Sequence, residues 1–334
     1  MKFLVIRFSS LGDCVLLCPL LEYLKRTGAE EVVVLTKRAY APLFASATGV
    51  DRVVALDSGG GAAALWRIAG EFRGRGYTIL DAHGSLRSRL FSTRAGRAQS
   101  RIEKHTRQRV NLIVWKKPSD LPTMLERYAR LCPPVQIETP TLSPGGLRLP
   151  EEAVQDAAAA MGSASFIAVA PGSRWPAKRW NGFARLCAML PRDERILLVG
   201  DSDDRAFTTP IARALGERCL DIAGAPSLLK TAAHVARCRV FLGNDSGLMH
   251  LAEAVGVPVV ALFGPTVEGF GYYPSLAMSR VIERRLACRP CSRNGSIPCP
   301  KRTGECLTAI KPETVAETIA TLLDASAPRR VVLD

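Results

Sequence analysis

The stretch "RVFLGNDSGLMHLAEAVGVPVVALFGPT", residues 239–266, decides the fold. An apolar run rich in β-branched residues, "VFLG", is followed by a helical pattern and then by a second apolar run, "VPVVALFG". Strand, helix, strand within so short a span is a crossover unit, and crossover units build parallel sheets covered by helices. Polar residues crowd the first junction. Asp245 or Ser246 caps the helix, and the unpaired N–H groups of a helix N-terminus favour an anion. Gly247 removes a side chain and lets a ligand approach the backbone. His250, one turn beyond Ser246, leans back toward the same spot because helical side chains tilt toward the N-terminus. Leu248 belongs to the same turn. Asp245 would repel a phosphate, so it is assigned to the cap or to a sugar hydroxyl.

The same alternation runs outward along the 334-residue chain. "FLVIRF" (3–8), "EVVVLT" (31–36), "RVVALD" (52–57) and "YTILDAH" (77–83) are strands of a first half; "FIAVA" (166–170), "RILLVG" (195–200), "RVFLG" (239–243) and "VPVVALFG" (257–264) repeat the pattern. Near-continuous apolar strands are those of a sheet buried on both faces. Between the halves, "PPVQIETPTLSPGGLRLP" (133–150) is dense in Pro and Gly and reads as a crossing between domains. The expectation is α/β: two doubly wound, Rossmann-like domains facing each other across a cleft, 1–150 and 151–334, with ligands beyond the carboxyl ends of the strands.

That rule selects two more loops. After the first strand comes "SSLGDC" (9–14), where Gly12 allows a tight turn and Asp13 opens a helix, as an N-cap, as a carboxylate at the cleft, or as both. After "FIAVA" comes "PGSRWPAKRW" (171–180), whose backbone amides, Ser173 hydroxyl and Lys178 ammonium suit a diphosphate. Trp175 and Trp180 are expected to pack on the lysine stem.

Composition sets the partners. The formal net charge is +14, and from Arg87 to Lys117 the residues Arg87, Arg89, Arg94, Arg97, Arg101, Lys104, Arg107, Arg109, Lys116 and Lys117 face only Glu103. So one-signed a stretch points to a polyanionic partner rather than a mixed solvated face. Aromatic content of 6% and the lack of a known nucleic-acid motif argue against nucleic acid. There is no uninterrupted apolar run of membrane-spanning length. Arg7 interrupts the first apolar stretch, which is a strand rather than a signal peptide, so the cytoplasm is expected. The ten cysteines are expected to be reduced. Four of them, Cys288, Cys291, Cys299 and Cys306, are spaced either as a structural zinc site or as a loop whose thiols are reduced or occasionally disulfide-linked. "DSD" (201–203) fits the D-x-D signature of metal-dependent sugar transferases, a short pattern that chance also produces. The residues argue against a dehydrogenase: the first strand–helix turn lacks G-x-G-x-x-G, and "GGG" (59–61) has the wrong spacing.

"IRFSSLGDCVLLCPLLEYLKR", "LDAHGSLRSRL", "PGSRWPAKRW", "GNDSGLMHLAEAVGVPVVALFGPT" and the cysteines before "CLTAIKPETV" together resemble the bacterial heptosyltransferases of glycosyltransferase family 9, nearly end to end. The resemblance implies a GT-B architecture and inverting transfer of heptose from ADP-heptose to the anionic inner core of lipopolysaccharide. It also implies no required metal cofactor and peripheral attachment to the cytoplasmic face of the inner membrane. By motif, Asp13 becomes the general base. Ser173 and Lys178 contact the donor diphosphate, with Gly12, Asp245, Ser246, Gly247, Leu248 and His250 also on the donor. Arg87 and Arg89 meet the acceptor, and adenine lies near "APSLL" (225–229). The ribose contact, acidic in relatives, falls to one of Asp201, Asp203 and Asp204. A related transferase with another sugar nucleotide or acceptor, and a non-catalytic nucleotide-sugar or polyanion-binding protein, are the competing readings; the second would be expected to lack Asp13.

Overall fold

A computed structural model describes residues 1–57, 59, 61–96, 98–117, 121–132 and 139–325. Gly60 of the glycine triplet, Arg97 of the basic run and residues 133–138 of the Pro/Gly-rich segment lie outside them. The chain divides into two compact units, one of Met1–His105 and Pro122–Arg148, the other of Thr106–Leu121 and Leu149–Asp334.

The first unit holds a five-stranded sheet of β1 (Lys2–Ile6), β2 (Glu31–Lys37), β3 (Arg52–Leu56), β4 (Tyr77–Asp81) and β5 (Ala98–Arg101), in the order β3-β2-β1-β4-β5. The second holds six strands, β6 (Phe166–Ala170), β7 (Arg195–Leu198), β8 (Cys219–Asp221), β9 (Val240–Asn244), β10 (Val259–Phe263) and β11 (Arg280–Glu283), in the order β11-β10-β9-β6-β7-β8. Every pairing is parallel. The eight strands expected from the apolar runs form; β5, β8 and β11 are added, short and at or next to sheet edges, where less burial means a weaker apolar signal.

The two sheets share one winding. Each begins in the middle, runs outward to one side for three strands, then returns to the other side of its first strand. The winding reverses between β1 and β4 in one unit and between β6 and β9 in the other. At such a reversal the following loops diverge and leave a crevice beyond the carboxyl ends. The central strands supply the stiffness: Leu4, Val5 and Ile6 of β1 and Phe166, Ile167, Ala168 and Val169 of β6 have no solvent exposure. No helix among the described residues is long and apolar enough to cross a membrane.

The end of the Pro/Gly-rich segment belongs to the first unit. Leu147 bridges Ala47, and the Thr48 and Arg148 amides bond across to Gly146 and Ser46 carbonyls, each at 2.8 Å. Gly146 is pressed onto the helix Leu11–Arg26 beside its internal Pro19, in a backbone conformation of φ +73°. A Cβ there would lie 2.8 Å from the Cys18 carbonyl. Gly146→Ala should therefore destabilise this unit by about 1–3 kcal/mol, because it combines left-handed strain with backbone overlap. Gly59→Ala, with open space around it and no positive φ, should be nearly neutral; denaturant midpoints of the two variants check the contrast.

Candidate active site

The loops leaving the second reversal point carry most of the expected residues. β6 ends at Ala170 and runs into Pro171–Trp180; β9 ends at Asn244 and runs through Asp245 and Ser246 into the helix Gly247–Ala254. Ser246 is the N-cap, in extended backbone, and its Oγ is buried with no hydrogen-bond partner among the described residues. A buried hydroxyl without a partner is costly unless a ligand supplies one. Asp245 does not cap. Its Oδ2 lies 2.5 Å from Lys178 Nζ and accepts from Thr266 Oγ1 at 2.6 Å. The expected repulsion between Asp245 and a phosphate is thus offset beforehand by an ammonium.

Lys178 reaches Asp245 over Gly295, where a Cβ would come within 2.7 Å of the lysine Cγ. The expected tryptophan support takes a different form. Trp180 is core: it meets Phe183 edge-on at 5.0 Å, and its indole N–H donates to the Ile310 carbonyl. Trp175 lies under Arg174. Ser173 is buried, and its carbonyl accepts from Arg179 Nε at 2.7 Å. His250 is buried with its ring 6.2 Å from that of Tyr272, while Leu248 rests half-buried on the core.

The acidic turn after β7 folds on itself. Asp201 Oδ1 accepts from the Asp203 and Asp204 amides, and Asp204 Oδ2 accepts from the Asp201 amide. Asp204 fills the space beside Gly172 and Gly200, where no side chain fits, and burial raises its pKa. The loop 225–229 follows β8, with Ser227 capping the helix Leu228–Val235. Among the described residues no three or more His, Cys, Asp or Glu side chains gather as a metal site. The zinc reading of the late cysteines is not met: all four are free thiols, and Cys291, Cys299 and Cys306 line one small cavity without gathering as a ligand set. Cys291 Sγ donates to the Cys288 carbonyl, Cys306 sits in the core, and the amide of Gly304, with others of that turn, lowers the pKa of Cys299.

In the first unit, Asp13 is held from several sides. Arg7 Nη2 lies 2.6 Å from Asp13 Oδ2, and the Ser10 hydroxyl and amide reach the same oxygen at 2.7 and 3.1 Å. Asp13 is the third helical residue, answering Ser10 as N-cap, so it is not the N-cap itself. Gly12 is helical and buried; the chain turns before it, at extended Ser10. Arg7 also bonds the Ala82 carbonyl at 2.6 Å and so ties the end of β1 to the end of β4. Tyr128 donates to the Asp13 carbonyl at 3.0 Å.

The basic run is not one face. Arg107, Arg109, Lys116 and Lys117 belong to the second unit's segment Thr106–Leu121. Arg109 is buried beneath Phe270 and Tyr272, Lys116 donates to the Cys288 and Pro290 carbonyls, and Arg101 pairs with buried Asp81. Arg87 and Arg89 are exposed at the start of the helix Leu86–Ala95, with Arg87 over the Phe8 ring.

His83, absent from the expected set, follows β4 and meets Phe8 edge-on at 4.9 Å. Burial, then the charges of Arg7 and Lys104, push its imidazole from 6.5 down to about 4. The unfolded chain therefore takes up this proton before the folded protein does. Stability present above about pH 6.5 is lost as pH falls through about 4. His83→Gln should flatten the fall of the melting temperature over that window; an unchanged slope would remove His83 as its source.

Comparison with known proteins follows the same lines. The profile of glycosyltransferase family 9 (heptosyltransferase) matches residues 65–299. Lipooligosaccharide heptosyltransferase 2 of Haemophilus ducreyi is 28% identical over 318 residues, 86% of this chain and 89% of that protein. Its counterpart in Haemophilus influenzae is 33% identical over 189 residues, 50% of this chain and 53% of that protein, so that match spans about half its length. Among solved structures, the E. coli ADP-heptose LPS heptosyltransferase II superposes with a TM-score of 0.75 at 24% identity, over 97% of this chain and 99% of that one. A family 9 glycosyltransferase from Veillonella parvula gives 0.75 at 21% identity, over 97% of each. These likenesses identify the GT-B fold.

Proposed function

The chain belongs to glycosyltransferase family 9, the heptosyltransferases, and from that premise we propose that it moves a heptose from ADP-heptose to the inner core of lipopolysaccharide, with inversion. The observation that carries this reading is the second unit's reversal point. There a held ammonium, a hydroxyl buried without a partner among the described residues and the N-terminus of a helix meet at one strand end.

The acceptor hydroxyl attacks the anomeric carbon, the bond from that carbon to the diphosphate oxygen breaks, and the hydroxyl proton passes to Asp13. Arg7 and Ser10 fix that carboxylate through one oxygen. The departing ADP gains negative charge as the bond breaks, and Lys178 with the Ser246 and Gly247 amides stabilises it. A diphosphate leaves without a proton, so one base and an array of positive donors are enough. Ser173, Leu248 and His250 line the donor side, adenine takes the loop 225–229, and of Asp201, Asp203 and Asp204 it is Asp204 that packs against Gly172 of the donor loop. Arg87 and Arg89, whose forked guanidiniums suit carboxylates and phosphates, take the acceptor.

Lys178→Ala should lower turnover by roughly two to three orders of magnitude, the usual consequence of losing one transition-state donor. Asp13→Ala should abolish transfer while ADP binding survives. Sugar transfer read by mass spectrometry, with calorimetric ADP binding, checks both. Wild-type turnover in either variant withdraws that residue from the mechanism.

The acceptor is lipid-linked, and we assign the first unit a peripheral contact with the cytoplasmic face of the inner membrane. Leu86 and Leu90, one turn apart, are 85% and 42% exposed; Trp66 is 44% exposed, with Arg94 over its ring. Apolar side chains among arginines fit the headgroup boundary of an anionic bilayer. Replacing Leu86 and Leu90 together by Ser should weaken co-sedimentation with phosphatidylglycerol vesicles about tenfold or more. Undiminished sedimentation, or equal binding to phosphatidylcholine alone, would count against this face.

A further inference from the structure

β6 and β9 are neighbours, paired through Ala170 and Gly243, so the donor loop and the capped helix leave the sheet side by side. One side chain joins them. Asn244, the last residue of β9, has no solvent exposure. Its Nδ2 donates to the Pro171 and Gly172 carbonyls at 2.9 and 3.1 Å, and its Oδ1 accepts from the Trp180 amide at 3.0 Å. A single amide therefore grips both ends of the loop that carries Ser173 and Lys178. The next residue, Asp245, grips the tip of Lys178. Loop, lysine, aspartate and asparagine form a closed ring.

We propose that Asn244 is a positioning residue for sugar transfer, acting through Lys178 by fixing both ends of its loop; this rests on the role given to Lys178 above. A lysine has four rotatable bonds, and its ammonium is useful to a leaving diphosphate only where the charge develops. The Lys178–Asp245 contact alone fixes the tip, and the clamp fixes the origin of the stem. Aspartate has the same shape as asparagine and still accepts from the Trp180 amide. It has no hydrogens for the two carbonyls, and its charge would face their oxygens. Asn244→Asp thus releases the Pro171 end and keeps the Trp180 end.

Turnover and donor KM of the full chain are measured for the wild type, Asn244→Asp, Lys178→Ala and the double variant, with melting temperatures alongside. Asn244→Asp should lower kcat roughly ten- to a hundredfold and shift donor KM less than about threefold, since the misplaced contact belongs to the transition state. On the Lys178→Ala background the same change should cost under about threefold, because residues acting through one group are not additive. Equal losses on both backgrounds would make Asn244 merely structural and overturn the proposal, as would wild-type kcat in Asn244→Asp. Wild-type turnover in Lys178→Ala would overturn the reading of Lys178 and the proposal with it. If Asn244→Asp is not recovered folded, Asn244→Ser, which retains one donor, is carried through the same cycle.

Discussion

A lysine ammonium and an aspartate carboxylate 2.5 Å apart, with side chains 11% and 10% exposed, anchor the second unit's reversal point. Neither charge is stable there alone, because a buried ion without a partner costs several kcal/mol or more. Together they form a nearly neutral pair beside the positive end of a helix. Thr266 supplies a further hydrogen bond to the carboxylate, and Gly295 leaves room for the lysine stem. On the proposed function, a diphosphate arriving there meets an ammonium whose position is already set and whose neighbouring carboxylate is already compensated. The surrounding features make sense as supports for that pair.

The first unit repeats the device with different side chains. Arg7 at the end of β1 is buried against Asp13 on the helix that follows, and its other nitrogen holds the end of β4. In both units, then, an ion pair occupies the place where the strand order reverses. The shared winding explains this: a reversal opens a polar crevice at the end of an apolar sheet, and charge placed there is shielded from water but reachable by a ligand. The pairs differ in what they leave available. Arg7 is committed to its carboxylate and to a carbonyl, which on the proposed mechanism leaves Asp13 as the reactive member. In the second unit the carboxylate is committed twice, and the proposed mechanism makes Lys178 the reactive member.

Much of this was legible in the residues. Continuous β-branched runs gave the central strands, since burial on both faces demands them, and the polar cluster at 244–250 stood out because a core has no use for it. The contacts that hold the site were not legible. Arg7 reads locally as a charge interrupting a strand, and only the fold reveals Asp13 and Ala82 around it. Asn244 reads as a strand-end polar residue; its partners lie some 64 to 73 positions away. The support of Lys178 fell to a glycine in the cysteine loop, not to the adjacent tryptophans, because Trp180 gains more from burial on Phe183. The spacing of the four late cysteines marked them as neighbours, and three of them do line one cavity, but spacing could not say whether their sulfurs converge as a ligand set, which they do not.

The charge excess shows why composition constrains partners only after the fold is known. A guanidinium on an exposed helix start and one sealed beneath two aromatic rings count equally toward +14. Arg109 and Lys116 spend their hydrogen bonds on backbone carbonyls of the second unit, where they act as fasteners for the segment 106–117. Charge of this kind contributes to the distant field but cannot reorient toward a phosphate without giving up a packed interior. Arg87 and Arg89 sit on the surface beside exposed Leu86 and Leu90, on the unit that holds Asp13. Under the proposed function, exposed basic groups beside an apolar strip suit an acceptor that is itself half sugar acid and half lipid. On that reading, the side chains able to select the acceptor are a small subset of the basic run, separated from the rest by what each one already holds.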